Sequence, residues 1–193
     1  MGRPDAELMA EVAKGDTSVF REIVERYKNQ VMSTVYRFTG DYCQAEDLTQ
    51  EVFVRVFKSA KRYEPKAKFK TWLFRIVVNL CLNYRRDRAR KCTQPFDAPL
   101  SGRDGEVVRD VRGPNGDIPE VALEKMELKR MVREAIDDLP ENQRLAIILQ
   151  RFEEMPYREI SEALDISLSA VESLLFRARQ NLKRKLAPYL FLK

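Results

Sequence analysis

The sequence predicts an all-α protein made of two small helical domains joined by a flexible linker. Three observations carry that reading. Apolar residues recur three and four apart through residues 5–90 and again through residues 120–190, the period of a helix with one buried face. Between them, residues 92–119 hold four of the nine prolines (Pro95, Pro99, Pro114, Pro119) and four of the seven glycines (Gly102, Gly105, Gly113, Gly116), which suits a linker. No stretch alternates apolar and polar residues between turn signals, so no strand is expected. The domains are therefore expected at 5–90 and 120–190, with the linker over 91–119.

Four helices are expected before the linker. The first spans about Asp5 to Lys14 and stops at Gly15, since glycine closes helices in the left-handed conformation. The second opens after Asp16, a good N-cap, and ends at Gly40, with Phe20, Ile23, Val24, Tyr27 and Val31 inward. The third spans about Gln44 to Lys61, with Ala45, Leu48, Val52, Val56 and Ala60 on one stripe. The fourth spans about Lys70 to Arg88, with Leu73, Ile76, Val77, Leu80, Cys81 and Tyr84 inward.

Four more are expected after it. One spans Pro119 to Asp137. Another starts near Pro140, where proline fits the first turn, and buries Leu145, Ile148, Leu149 and Phe152. The last two run over Pro156–Leu164 and Leu168–Leu186.

Charge is segregated along the chain. The protein carries +5 overall, but residues 61–91 hold 11 basic and 2 acidic side chains, while residues 92–155 are net −5. A solvated surface mixes signs more evenly, so the basic segment points to a polyanion such as nucleic acid. There is no histidine, which removes the commonest general base and metal ligand. Cys43, Cys81 and Cys92 are too far apart for zinc-ligand spacing, and neither a disulfide framework nor a cofactor is expected. No glycine-rich phosphate loop, nucleophile elbow or zinc-protease motif occurs. The sequence therefore argues against an enzyme and against a small-molecule substrate. It shows no signal-peptide core, and a cytoplasmic location is expected.

Three segments carry recognisable chemistry. Residues 156–186 read as a helix-turn-helix, with Ser161 as the small residue at the helix crossing and Asp165 as a turn residue that tolerates left-handed backbone. Ile160, Leu164, Ile166, Val171 and Leu175 form its core. Its second helix would enter the major groove, with later cations suited to phosphates. The fourth helix of the first half places Arg75, Asn79, Leu82, Arg86 and Arg90 on one face. In front of it, Tyr63 and Phe69 interleave with Lys66, Lys68 and Lys70, which suits unpaired bases that stack on rings while lysines hold phosphates. Trp72 is equally readable as core. The third helix is different: Asp47, Gln50 and Glu51 share a polar face, with Phe53 partly outside the apolar stripe. An acidic face does not favour DNA; it faces a protein or water.

Taken together, these segments resemble the extracytoplasmic-function sigma factors, the smallest class of bacterial sigma factors. Asp47-Leu-Thr-Gln50-Glu51-Val-Phe53 is similar to the family's D-x-x-Q-E-x-F signature. Phe69-Lys-Thr71-Trp72-Leu73-Phe-Arg75-Ile-Val-Val-Asn79 is similar to F-x-T-W-L-x-R-I-x-x-N. Leu139 to Arg144, Tyr157 to Ile160 and Val171 to Arg179 resemble the fourth sigma region.

The resemblance implies partners and roles. Asp47, Gln50, Glu51 and Phe53 would dock on the β′ clamp helices of core RNA polymerase, whose β subunit is also expected as a partner. Tyr63, Lys66, Lys68, Phe69, Lys70, Trp72, Arg75, Asn79 and Arg86 would open and hold the minus-ten element of promoter DNA. Ser169, Glu172, Ser173, Arg177, Arg179, Lys183 and Arg184 would read the minus-thirty-five element. The linker would thread toward the RNA exit path, and an anti-sigma factor would restrain the protein until a signal arrives.

Two departures stand out. Leu73 occupies the place where primary sigma factors carry a second tryptophan, as is common in this class. Glu172 and Leu174 stand where many relatives have arginine; glutamate accepts from cytosine N4 and repels phosphate, so a different upstream sequence is implied. The alternative function is a stand-alone helix-turn-helix regulator, which leaves the Trp72 segment and the acidic face without a task.

Overall fold

A computed structural model describes residues 3–92 and 120–190. Among the described residues the chain is helical, without a strand. The order is α1 (Asp5–Lys14), α2 (Thr17–Thr39), α3 (Tyr42–Ser59), a 3-10 turn (Ala60–Arg62), α4 (Phe69–Cys92), α5 (Glu120–Asp137), α6 (Glu141–Arg151), α7 (Tyr157–Leu164) and α8 (Leu168–Leu190). The expected linker lies, from residue 93 to residue 119, outside the described residues.

Local signals explain most boundaries. Gly15 and Gly40 close α1 and α2 with φ of 106° and 77°, a region that costs a side chain but not glycine. Asp16 caps α2 by accepting the Ser18 N–H at 3.0 Å. Asp41 caps α3 in the same way, accepting from Gln44 N–H at 3.1 Å, so α3 begins at Tyr42, earlier than expected. Two helices run on past their expected ends. Residues 69–92 contain neither proline nor glycine, and α4 continues to Cys92 instead of stopping at Arg88. α8 continues to Leu190 with Pro188 inside it; a proline in the last turn forfeits one backbone bond without ending the helix.

The first domain packs α1, α2, α3 and α4 around Leu8, Met9, Ile23, Val31, Val35, Phe38, Val52, Val56, Leu73, Phe74, Val77 and Cys81, all fully buried. Phe20, Val24 and Tyr27, expected inward, are only partly buried, while Val19 takes a core place. Phe74 is fully buried, so Phe74→Ala should destabilise the protein by about 3–5 kcal/mol through lost burial and an unfilled cavity. A chemical-denaturation midpoint unchanged from wild type would contradict the packing.

The second domain packs Leu145, Ile148 and Leu149 of α6 against Ile160 and Ala163 of α7 and Val171, Leu175 and Ala178 of α8. Phe152, expected in this core, stands outside it. It is 42% exposed, with the Arg37 guanidinium 4.1 Å from its ring centre.

The two domains pack against each other, α2 on α6 and α4 on α7, and their buried side chains form one contiguous cluster. Arg144 of α6 is the joint. It is 3% exposed and donates to the carbonyls of Phe38 at 3.0 Å and Leu139 at 3.3 Å, and to that of Asp137. The Phe38 carbonyl lies in the last turn of α2, where the helix dipole favours a cation. Burial, with Arg85 nearby, pulls the Arg144 pKa down, and Asp137 and Glu141 oppose that shift.

Candidate nucleic-acid interface

In the helix-turn-helix, Asp165 adopts the left-handed conformation (φ 57°, ψ 45°) at the end of α7, as its short polar side chain allows. Val171 and Leu175 are buried, while Leu164 and Ile166 pack at the core's edge. Ser161 is half-buried, and its hydroxyl donates to the Arg158 carbonyl at 2.9 Å; Ala163 is the fully buried small side chain of α7. Ser167 caps α8, its hydroxyl accepting from the Ala170 N–H at 3.2 Å.

The outward side of α8 presents Ser169, Glu172, Ser173, Phe176, Arg177, Lys183 and Arg184. Phe176, 63% exposed, was missed because an aromatic at helical spacing reads as core. Arg179 is exposed but engaged: it donates to Gln150 Oε1 at 3.1 Å and to the Tyr157 hydroxyl at 2.9 Å. These bonds tie α8 to α6 and α7. Leu174 packs against the core, leaving Glu172 as the departure that faces outward.

On α4, Arg75, Asn79 and Arg86 are exposed. The loop ahead of the helix is less open than expected. Phe69 is 5% exposed and is the hub of an aromatic cluster, with ring centres 5.2 Å from Tyr27, 5.8 Å from Tyr63 and 5.6 Å from Trp72. Its ring supports its neighbours and has little open face of its own. Tyr63 and Trp72, 4.8 Å apart, stay partly open. Beside them lies a cavity of about 520 Å³ lined by Asp5, Tyr27, Tyr63, Phe69, Lys68 and Lys70 among others. The Tyr27 hydroxyl donates to Asp5 at 2.6 Å, and burial with that carboxylate pushes the phenol well above its ordinary range.

The lysines around this cavity are already engaged. Lys66 pairs with Glu64 at 2.5 Å. Lys68 donates to Glu159 at 2.7 Å, and that carboxylate raises the Lys68 pKa. Lys70 donates to the Glu153 carbonyl at 2.7 Å.

The outer face of α3 shows Asp47 and Gln50 exposed, and Glu51 paired with its own helix through Arg55 at 2.7 Å. Phe53 is 7% exposed, which corrects the expectation that it stands outside the stripe. It borders a groove of about 770 Å³ between α2 and α3, shared with Phe20, Val24, Met32, Gln50 and Phe57. Sequence reasoning missed the groove, although Phe53, Val54 and Phe57 stand at helical spacing and form a second apolar edge. Of the thiols described, Cys43 is exposed and Cys81 buried, the latter pushed up to about 12 by burial. No cluster of three potential metal ligands occurs among the described residues, and none of their helices is long and apolar enough to cross a membrane.

A helix-turn-helix with an outward recognition helix, joined to a second helix carrying a basic face and an aromatic loop, defines a two-domain DNA-binding protein of the transcription machinery. Residues 23–91 match the family model for Sigma-70 region 2, and residues 129–182 match that for Sigma-70, region 4. The chain belongs to the sigma-70 family of RNA polymerase sigma factors, in its extracytoplasmic-function class. It is 33% identical to the ECF RNA polymerase sigma factor SigW of Bacillus subtilis, over 91% of this chain and 93% of that one. It is 30% identical to the ECF RNA polymerase sigma-E factor of Escherichia coli, over 95% of each. Its fold is similar to that of CnrH, solved in complex with the cytosolic domain of CnrY, with a TM-score of 0.68 at 23% identity, covering 95% of this chain and 97% of that one. RpoE of Bartonella quintana, solved with the anti-sigma factor NepR, gives a TM-score of 0.64 at 19% identity, covering 87% and 96%.

Proposed function

We propose that residues 5–90 dock on core RNA polymerase and hold the minus-ten strand, that residues 120–190 bind the minus-thirty-five duplex, and that residues 91–119 set the distance between them. The observation that carries this division is the pair of outward surfaces of opposite character in one domain: the outer face of α3, with Asp47 exposed and Gln50 lining the α2–α3 groove, and the basic face of α4 with its aromatic cavity. A protein partner suits the first, and an unpaired strand suits the second. The cavity has room for one flipped base between Tyr63 and the lysines, with Asn79 and Arg75 in line along the helix to follow the strand. The polymerase performs the chemistry, in the cytoplasm. An anti-sigma factor fits this reading, since structurally similar sigma factors were solved in such complexes.

Transcription in vitro with purified core polymerase, on a library of randomised promoters with start sites mapped, tests the proposal. The wild-type protein should select a two-element promoter. Glu172→Gln should change the preferred base at one upstream position by about 1–3 kcal/mol. Arg177→Ala should instead weaken all upstream sequences alike and flatten the salt dependence. If the Glu172 variant selects the wild-type upstream element, base reading does not occur on this face of α8.

A further inference from the structure

The first helix brings a carboxylate into a basic neighbourhood. Asp5, the first residue of α1, lines the same cavity as Tyr63, Phe69, Lys68 and Lys70. It lies outside residues 23–91, which match the family model for region 2. A negative charge beside the path expected for a strand of phosphates is unfavourable, unless it makes a contact that offsets the repulsion.

The carboxylate is held in place. Its Oδ2 accepts from the Tyr27 hydroxyl at 2.6 Å, and its Oδ1 pairs with the Arg26 guanidinium. Both partners belong to α2. The first turn of α1 carries backbone N–H groups without helical partners, which favour an anion there. The Asp5 side chain nevertheless stays 20% exposed. A carboxylate has about four lone-pair sites, so Tyr27 and Arg26 leave acceptor capacity for a further donor.

We propose that Asp5 reads the flipped base of the minus-ten strand by accepting a hydrogen bond from its exocyclic amine, which selects cytosine or adenine over a base with a carbonyl at that place. The inference rests on the minus-ten reading of α4 and its cavity given above. Cytosine N4 and adenine N6 are donors, whereas thymine O4 and guanine O6 are acceptors. A carbonyl there would face the carboxylate oxygen to oxygen, and neither group would have a donor. Tyr63 and Trp72 offer partly open rings to the face of the base, and stacking tolerates every base. Lys68 and Lys70 supply charge for the adjoining phosphates. The discrimination comes from the carboxylate.

The test uses the full-length protein bound to core polymerase and a fluorescent non-template strand carrying the minus-ten element that promoter selection returns. Each cytosine of that element is replaced in turn by uracil and each adenine by hypoxanthine, exchanges that put a carbonyl in place of the amine and keep the size of the ring. At one position the wild-type holoenzyme should lose about tenfold in affinity, the worth of one good base-edge contact. Asp5→Asn should bind both bases there within about twofold, because an amide offers an N–H to a carbonyl and an oxygen to an amine. Arg26→Gln breaks the other half of the tie between α1 and α2. Arg26 lies outside the lining of the cavity, so this variant should keep the wild-type preference.

A strand with no position sensitive to the exchange overturns the proposal. So does an Asp5→Asn protein that keeps the wild-type preference, even if it binds every strand more weakly, since the carboxylate then serves only to hold α1 on α2. Equal loss of preference in Arg26→Gln has the same meaning. Asn79→Ala and the triple substitution of Lys66, Lys68 and Lys70 by Ala separate the two levels of the inference. If these variants weaken strand binding while Asp5→Asn leaves the base preference untouched, the minus-ten reading stands and Asp5 alone is misassigned. If they bind the strand as the wild-type protein does, the proposal falls with the minus-ten reading.

Discussion

Asp47→Arg combined with Gln50→Arg should weaken association with core RNA polymerase by about a hundredfold or more, the loss expected when the anchor of an interface is replaced by like charge. Both side chains are exposed on α3, and Asp47 has no hydrogen-bond or ion-pair partner among the described residues. The substitutions should therefore leave the helix and its core intact. Gln50 also lines the α2–α3 groove with Phe53 and Phe57, so a bulky cation there blocks the apolar part of the surface as well as reversing its polarity. Glu51 is a weaker target, because Arg55 already pairs with it at 2.7 Å, and Glu51→Ala should have a smaller effect. Titration of labelled core polymerase checks both. Undiminished affinity of the double variant would remove the docking role from this face.

The second large effect concerns promoter opening by the holoenzyme. Asn79→Ala should slow formation of the open complex by about tenfold, the cost of one lost base-edge contact. The triple substitution of Lys66, Lys68 and Lys70 by Ala should slow it further and reduce its salt dependence, because phosphate contacts release counterions. Permanganate reactivity of thymines at the start site on linear DNA reports both. A template with a pre-melted bubble should partly restore the triple variant and restore Asn79→Ala less, since melting no longer limits but base reading still does. Wild-type opening by both variants would separate α4 from the minus-ten element. The two variants also differ in the free protein. Lys68 and Lys70 contact Glu159 and Glu153, whereas Asn79 is outside those contacts, so Asn79→Ala tests strand reading without disturbing the packing between the two domains.

Much of the site could be read from the residues in order. The α4 face of Arg75, Asn79 and Arg86 is exposed as its spacing requires, and the left-handed turn at Asp165 is where a short polar side chain predicts it. What surrounds Phe53, Phe69 and Arg179 was not legible in the sequence, for one reason. Spacing says which face of a helix a residue occupies, but not what stands opposite. Phe69 lies at the first turn of α4, where Tyr27, Tyr63 and Trp72 from three separate segments close over it. Arg179 is on the open side of α8 and still finds Gln150 and Tyr157 within reach, because a long guanidinium can turn back along its own domain.

By itself the sequence determined the helices, their caps at Asp16, Gly15 and Gly40, the helix-turn-helix and the family signatures, because each depends on residues within one or two helical turns. Only the tertiary structure decided how the halves meet. Thr34 and Glu153 are 119 residues apart, Lys68 and Glu159 are 91 apart, and Phe38 and Arg144 are 106 apart. No local period encodes such pairs. A lysine and a glutamate on separate helices look like solvated surface until packing of the apolar faces brings the helices together, and then the same charges become a contact between the two domains.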